Sequence, residues 1–163
     1  MSKMTVYLAG GCFWGLEELF RGLPGVINTD VGYTGGDNED PDYSNHPGHA
    51  EALAIDYDPS KTSYDNILDF FFRIHDPTTI NRQGNDVGTS YRSAIFYQDD
   101  QELAAAREMI RKVDASGLYA ALVTTSLEPY VKFYSAEDYH QDYLQKNPGD
   151  YTCHYVRSDV SLT

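Results

Sequence analysis

A tight junction between a strand and a helix constrains this chain more than any other feature of its sequence. A short apolar segment, Thr5 to Ala9, predicts a buried strand, and an amphipathic pattern from about Phe13 to Arg21 predicts a helix. The junction reads Gly10-Gly11-Cys12-Phe13-Trp14-Gly15, so it places a thiol at the first turn of that helix. Such a turn has unpaired backbone N–H groups and partial positive charge, which favour the thiolate form of a cysteine.

The remaining periodicity predicts a mixed fold. Further strands are predicted at 26–34, 49–57, 93–97, 119–127 and 131–134. Helices are predicted behind the capping pattern Thr62-Ser63-Tyr64-Asp65, at 101–115 with Gly117 as C-cap, and from a cap at 135–138 to Asn147-Pro148-Gly149. Two polar stretches, 35–48 and 75–91, read as long loops. The order predicts an α+β, two-layer sandwich with a ferredoxin-like split βαβ core, a C-terminal helix, and long irregular loops and tail.

Length and charge limit the organisation and the partners. We expect the 163 residues to form one catalytic domain, residues 1–163, with a core at about 5–146 and a mobile C-terminal tail at 147–163. With 25 acidic and 12 basic residues, the formal net charge is -13, which disfavours nucleic acid and anionic membrane surfaces. No apolar run is long enough to span a bilayer, and the first residues lack a signal-peptide pattern. We therefore expect a cytoplasmic protein.

The two cysteines are candidates for redox chemistry. A structural disulfide is uncommon in a reducing compartment, so Cys12 and Cys153 are either a catalytic pair or two inert thiols. Cys12 has the setting of a nucleophile, whereas Cys153 lies in a tail flanked by Gly and Pro. A bond between them requires Cα atoms within about 7 Å, so the tail would have to return to the first helix.

Three polar residues stand out in otherwise apolar or turn-rich settings. Glu51 shares one face of its strand with Leu53, Ile55 and Tyr57; it either faces solvent or is a buried acid with a raised pKa. His140 shares an inward stripe with Ala136 and Leu144, as a core histidine or as support for a site. Asp86 either accepts hydrogen bonds within its turn or orients polar groups of a site.

A metal site is not predicted. The segment His46-Pro47-Gly48-His49 and its acidic neighbours match neither zinc nor EF-hand spacing, and a solvated loop is the better interpretation.

From about Thr5 to Arg157 the chain resembles the A-type peptide methionine sulfoxide reductases. The resemblance rests on ordered motifs across the chain: Gly-Cys-Phe-Trp-Gly at 11–15, Gly-Tyr-Thr-Gly-Gly at 32–36, Gly-His-Ala-Glu at 48–51, His-Asp-Pro-Thr-Thr-Ile-Asn-Arg-Gln-Gly-Asn-Asp-Val-Gly at 75–88, Tyr-Arg-Ser at 91–93 and Ala-Glu-Asp-Tyr-His-Gln at 136–141.

The resemblance implies a role for each matching residue. Cys12 would attack the sulfoxide sulfur, and Glu51 would protonate its oxygen. Phe13 and Trp14 would hold the substrate methyl group, while Tyr43 and Tyr91 would hydrogen-bond the oxygen. The residues that would support the polar side of the site are Asp86 and His140.

The resemblance also implies the rest of the cycle. Methionine-S-sulfoxide, free or in peptides, would yield methionine and a Cys12 sulfenic acid, which Cys153 would resolve as a disulfide. Thioredoxin or another dithiol reductant would regenerate the thiols. No metal or organic cofactor is expected, and we expect a monomer. The chain departs from relatives at Ser90, where Gln is common, and it has no third cysteine in the tail.

Two other functions remain compatible with the isolated motifs. A Cys–His hydrolase could use Cys12 and His140, although acyl transfer requires neither Glu51 nor a second thiol. A thiol sensor or peptide-binding module would form the disulfide on oxidation without turning over a substrate.

Overall fold

A computed structural model describes residues 3–162 of the chain. Eight strands lie at Met4–Gly10 (β1), Val26–Thr34 (β2), Ala50–Tyr57 (β3), Arg82–Gln83 (β4), Asp86–Val87 (β5), Ser93–Tyr97 (β6), Ser126–Pro129 (β7) and Phe133–Ser135 (β8). Four α-helices lie at Phe13–Arg21 (α1), Tyr64–Ile74 (α2), Asp100–Ser116 (α3) and Tyr143–Lys146 (α4). Single 3-10 turns lie at Thr89–Tyr91 and Asp138–His140.

The main sheet has six strands in the order β7-β6-β1-β3-β2-β8. The central four, β6-β1-β3-β2, are antiparallel to their neighbours. Helix α1 therefore connects β1 to β2 across β3, and α2 connects β3 to β6 across β1. This arrangement is the split βαβ pattern, and it confirms the predicted α+β fold class. Strand β7 extends the sheet in parallel to β6, and β8 pairs antiparallel with β2.

The core lies between this sheet and the helices. Fully buried side chains from α1 and α2 pack on one face of the sheet: Phe13, Leu16, Phe20, Ile67, Leu68, Phe71 and Phe72. Leu53, Ile55 and Tyr57 of β3 belong to this core, while Ala50 and Ala52 face the other side with Phe96. The predicted alternation along β3 is thus confirmed, and it directs Glu51 towards α1.

The strand and helix predictions fail mainly in the C-terminal third. The predicted strand at 119–127 is wrong over most of its length, because strand pairing begins only at Ser126. The predicted helix from 135 to 146 is also wrong: a 3-10 turn precedes the four-residue α4, and Asp142 between them has φ +56°. The N-cap of α2 is Ser63 rather than Thr62, and its hydroxyl accepts from the Asn66 N–H at 3.1 Å.

The C-terminal tail runs back over the domain. His154 is buried, and the Arg157 N–H donates to the carbonyl of Arg73 at 2.7 Å. The predicted single domain and its mobile tail stay predictions; residues 1, 2 and 163 of those ranges lie outside the described part of the chain. Among residues 3–162, no helix is both long and apolar enough to cross a membrane.

Candidate active site

The strand–helix junction places Cys12 at the N-cap of α1. Gly11 precedes it with φ +95°, and a Cβ at that position would lie 2.6 Å from Cγ of Gln83. Gln83 is itself buried, and its side-chain amide pairs with the backbone N–H and carbonyl of Asp76, both at 2.7 Å. The junction therefore packs directly against the 75–88 loop. Gly11 permits this close approach because it has no side chain.

The electrostatic setting of Cys12 differs from the one predicted at a helix N-terminus. The Trp14 N–H lowers the pKa of the thiol, as the helix argument requires, but burial and the Glu51 carboxylate raise it above its usual range. The prediction that the thiolate is favoured in the free protein is therefore wrong. The physical reason is first burial, since only part of the side chain reaches solvent, and then the nearby acidic groups Glu51 and Asp86, whose ionised forms oppose a second negative charge.

Glu51 is a buried acid rather than a solvent-facing residue. Its side chain is only 1% exposed, and Oε1 accepts from the Phe13 N–H at 3.2 Å. Desolvation raises the pKa of this carboxyl to about 8, although the Phe13 hydrogen bond opposes the shift. Glu51 is thus mostly protonated at neutral pH and shares the donors of the α1 N-terminus with Cys12.

Two tyrosine hydroxyls lie beside this acid. Burial raises the pKa values of both Tyr43 and Tyr91, the Glu51 carboxylate raises them further, and the two hydroxyls interact with each other. The Tyr43 N–H donates to Oε2 of Glu137 at 3.1 Å, while the buried Tyr33 donates its hydroxyl to Oε1 of Glu137 at 2.9 Å. Glu137 therefore anchors the loop that carries Tyr43.

Two residues of the C-terminal region hold the Trp14 ring, one on a face of the ring and one at its edge. Tyr143 of α4 stacks on it, with ring centroids 3.8 Å apart and an interplanar angle of 10°. The indole Nε1–H donates to Nδ1 of His140 at 3.0 Å. His140 is buried and its Nδ1 is occupied by this bond, an arrangement that does not favour the Cys12–His140 hydrolase.

His140 also presents a polar atom without a partner. Since Nδ1 accepts from Trp14 and burial lowers the pKa of His140, the neutral ring carries its proton on Nε2. That Nε2 is buried and has no hydrogen-bond partner among residues 3–162, and the same holds for Oδ2 of Asp86.

The tail brings Cys153 to the same region. Its Sγ lies 3.9 Å from the carbonyl oxygen of Gln83, and a Cβ on Gly84 would lie 3.6 Å from it. The negative charge that Cys153 would carry as a thiolate raises the pKa of Cys12, so the two thiols are electrostatic neighbours. Both cysteines are free in this structure.

The two histidines of the 46–49 segment serve the local structure. His46 stacks on Tyr33, and its Nε2 lies 2.6 Å from Oγ of Ser90, which links this loop to the turn that carries Tyr91. His49 is 2% exposed and bonds to Gly36 N and Asn38 O, so the expectation of a wholly solvated loop is wrong for this residue.

The structure brings together every residue predicted for the site. Sequence reasoning missed three residues that support it, Tyr33, Glu137 and Tyr143, and one tail residue that packs beside Cys153, His154. Glu137 lies within a quoted motif, and Tyr143 follows His140 at helical spacing, so both had a usable signal. His154 had none, because its contacts join positions 144 residues apart.

Comparison with known proteins shows what this site resembles. A family model described as "Peptide methionine sulfoxide reductase" matches residues 4–162. The "Peptide methionine sulfoxide reductase MsrA" of Mycobacterium sp. (strain MCS) is 59% identical over 155 residues, covering 95% of this chain and 91% of the relative.

Solved structures agree in fold. Mxr1 from Saccharomyces cerevisiae in reduced form matches with a TM-score of 0.89 and 36% identity, covering 96% of this chain and 93% of that one. Mxr1 in complex with Trx2 matches with a TM-score of 0.67 and 28% identity, covering 96% and 91%.

Proposed function

The chain belongs to the peptide methionine sulfoxide reductase family and is an oxidoreductase that reduces methionine sulfoxide; from this premise we propose that it acts on the S epimer through a Cys12 sulfenic acid, which Cys153 resolves. The single observation that carries the proposal is the Glu51 carboxyl. It is buried at the N-terminus of α1, its pKa is raised to about 8, and it lies close enough to Cys12, Tyr43 and Tyr91 for its ionised form to raise the pKa of all three.

In the first step, Cys12 attacks the sulfoxide sulfur while Glu51 protonates the oxygen. The oxygen is a poor leaving group without a proton, and a carboxyl that is still protonated at neutral pH can supply one. The hydroxyls of Tyr43 and Tyr91 hydrogen-bond the same oxygen. The S–O bond of the substrate breaks, and the protonated oxygen forms a new S–O bond with Cys12, which becomes a sulfenic acid. The methionine sulfur gains two electrons, the Cys12 sulfur loses two, and the thiol proton returns to Glu51 in place of the one that Glu51 gave.

Aromatic and polar groups position the substrate. Phe13 and Trp14 hold the methyl group, and the Tyr143 stack fixes the plane of the indole. The unpaired atoms of Asp86 and His140 suit an N–H and a carbonyl of a peptide, respectively, because one accepts and the other donates. The S-epimer assignment rests on the family resemblance.

In the second step, Cys153 attacks the sulfenic sulfur, and a disulfide and water form. Thioredoxin then reduces this disulfide by thiol–disulfide exchange. Support for that partner is the Mxr1–Trx2 complex, a property of the yeast protein. We also propose that the chain acts as one domain and as a monomer, since all site residues come from one chain, in a cytoplasm that keeps thiols reduced.

The test is anaerobic incubation of the reduced protein with each pure sulfoxide epimer, without reductant. We expect about one methionine per protein from the S epimer, with loss of both free thiols, and none from the R epimer. Equal yields from both epimers would contradict the stereochemical assignment. Methionine formation without loss of the Cys12 thiol would contradict the sulfenic acid route.

A further inference from the structure

The imidazole of His154 packs against the strand–helix junction that carries Cys12, between Gly10 and Gly15. The side chain is 6% exposed, and its Nε2 lies 2.6 Å from the carbonyl oxygen of Gly10. A Cβ on Gly15 would lie 2.4 Å from Nδ1 of His154 and 2.3 Å from Oγ1 of Thr152. The absence of a side chain at position 15 is therefore what lets the tail approach α1.

The contacts fix the protonation of this ring. A carbonyl oxygen only accepts, so Nε2 carries the proton. Burial lowers the pKa of His154 to about 4, and the ring is neutral at pH 7. Nδ1 is consequently an acceptor, and it lies 3.9 Å from Sγ of Cys153, within reach of the thiol proton. The His154 ring thus contacts both Gly10, the first residue of the strand–helix junction, and the Cys153 thiol.

His154 is the most deeply buried residue in this part of the tail. On one side Asp150 accepts from the Tyr143 hydroxyl at 2.7 Å, and on the other the Arg157 N–H donates to Arg73. Between them, Tyr151, Thr152, Tyr155 and Val156 are exposed, whereas His154 is buried. Removal of the imidazole would take away the one buried side chain of residues 151–156, while weaker contacts such as that of the half-buried Cys153 with Gln83 would remain.

We propose that His154 is a positioning residue for the resolving step. Its packing between Gly10 and Gly15 holds Cys153 beside Cys12. This inference rests on the proposed function, in which Cys153 resolves the sulfenic acid. The step itself forms the Cys12–Cys153 S–S bond, breaks the S–O bond of the sulfenic acid, and releases the oxygen as water with the thiol proton. His154 contributes by raising the effective concentration of the Cys153 thiol at the Cys12 sulfenic acid.

The experiment mixes reduced protein with methionine-S-sulfoxide and follows three quantities: methionine formed, Cys12 sulfenic acid trapped by dimedone, and disulfide formed. His154→Ala removes both ring contacts, whereas His154→Gln retains a side-chain N–H that can reach Gly10 O. Tyr155→Ala is the matched control, since this neighbouring side chain is 59% exposed.

We expect one methionine per protein at the wild-type rate in all variants. In His154→Ala, disulfide formation should slow by about 10-fold or more and the dimedone adduct should increase; His154→Gln should recover most of that rate. Tyr155→Ala should match the wild type.

A wild-type disulfide rate in His154→Ala would overturn the inference. So would a loss of the methionine burst in both His154 variants, because it would place the residue in the first step or in folding. If the wild-type protein itself forms no methionine, the proposed function fails instead, and the two failures are thereby distinguished.

Discussion

At the residue scale, Cys12 and Glu51 share one helix N-terminus. The Phe13 N–H donates a hydrogen bond to the Glu51 carboxyl, and the Trp14 N–H donates one to the Cys12 thiol. Neither group therefore receives all the stabilisation that the N-terminus of a helix can give to one negative charge. Because both groups are also desolvated, both pKa values are raised. The consequence is a neutral acid beside a neutral thiol, a pair suited to giving up protons during the reaction rather than before it.

Cys153→Ser separates the two halves of the proposed cycle. Its serine hydroxyl cannot attack the sulfenic sulfur to form a disulfide, so the reaction should stop after the first step. We expect about one methionine per protein and no sustained turnover with thioredoxin as reductant. Steady thioredoxin-driven turnover in this variant would remove Cys153 from the mechanism.

At the scale of elements, α2 holds the end of the tail through one buried carboxylate. Asp69 is 4% exposed and accepts from the Leu162 N–H and the Ser161 hydroxyl, both at 2.9 Å. Arg73 pairs with Asp69 and donates to the Ser158 carbonyl at 2.9 Å. The tail is therefore fixed beyond Cys153 as well as before it.

Asp69→Asn should loosen this distal anchor. Hydrogen bonds to a buried charged group contribute about 1.5–3 kcal/mol each, and the amide keeps only part of this acceptor capacity. We expect amide hydrogen exchange at Leu162 and Arg157 to become roughly tenfold faster. Asp65→Asn, at an exposed position in the same helix, is the control; equal exchange in the two variants would argue against the anchor.

At the scale of the whole molecule, the buried acid makes stability depend on pH. Between the usual pKa of 4.5 and the folded value of about 8, the native protein retains a proton that the unfolded chain has released. The stabilisation is fully present below pH 4.5 and is lost as pH rises through 8, with a slope of about 1.4 kcal/mol per pH unit.

Glu51→Gln removes this dependence, because the amide does not ionise. Denaturant unfolding at pH 5 and pH 8 should show a smaller decrease in the free energy of unfolding for the variant than for the wild type. Other buried carboxyls, such as Glu17, titrate in both proteins and cancel in the comparison. Identical decreases would mean that Glu51 is ionised in the native state at neutral pH.

The sequence predicts this molecule best where the determining contacts are local. Helix α1 and strand β2 match their predicted bounds, because the residues that set those bounds lie within or next to each element in the sequence. The prediction of the last helix fails because a distant residue holds Asp142: its N–H donates to Oε1 of Glu17, 125 residues away, at 2.8 Å. The raised pKa of Cys12 likewise depends on burial in the folded protein and on Glu51 and Asp86, which are distant in sequence, so no local pattern contains it.

The central claim is that a protonated Glu51 delivers its proton as Cys12 attacks. The most direct measurement is the single-turnover rate of methionine formation in Glu51→Gln, with Glu102→Gln as the control, because burial also raises the pKa of that carboxyl on α3. We expect the first variant to be slower by about 10²–10⁴-fold and the control to match the wild type. An unchanged rate in Glu51→Gln, in a folded protein that still loses its Cys12 thiol, would contradict the claim.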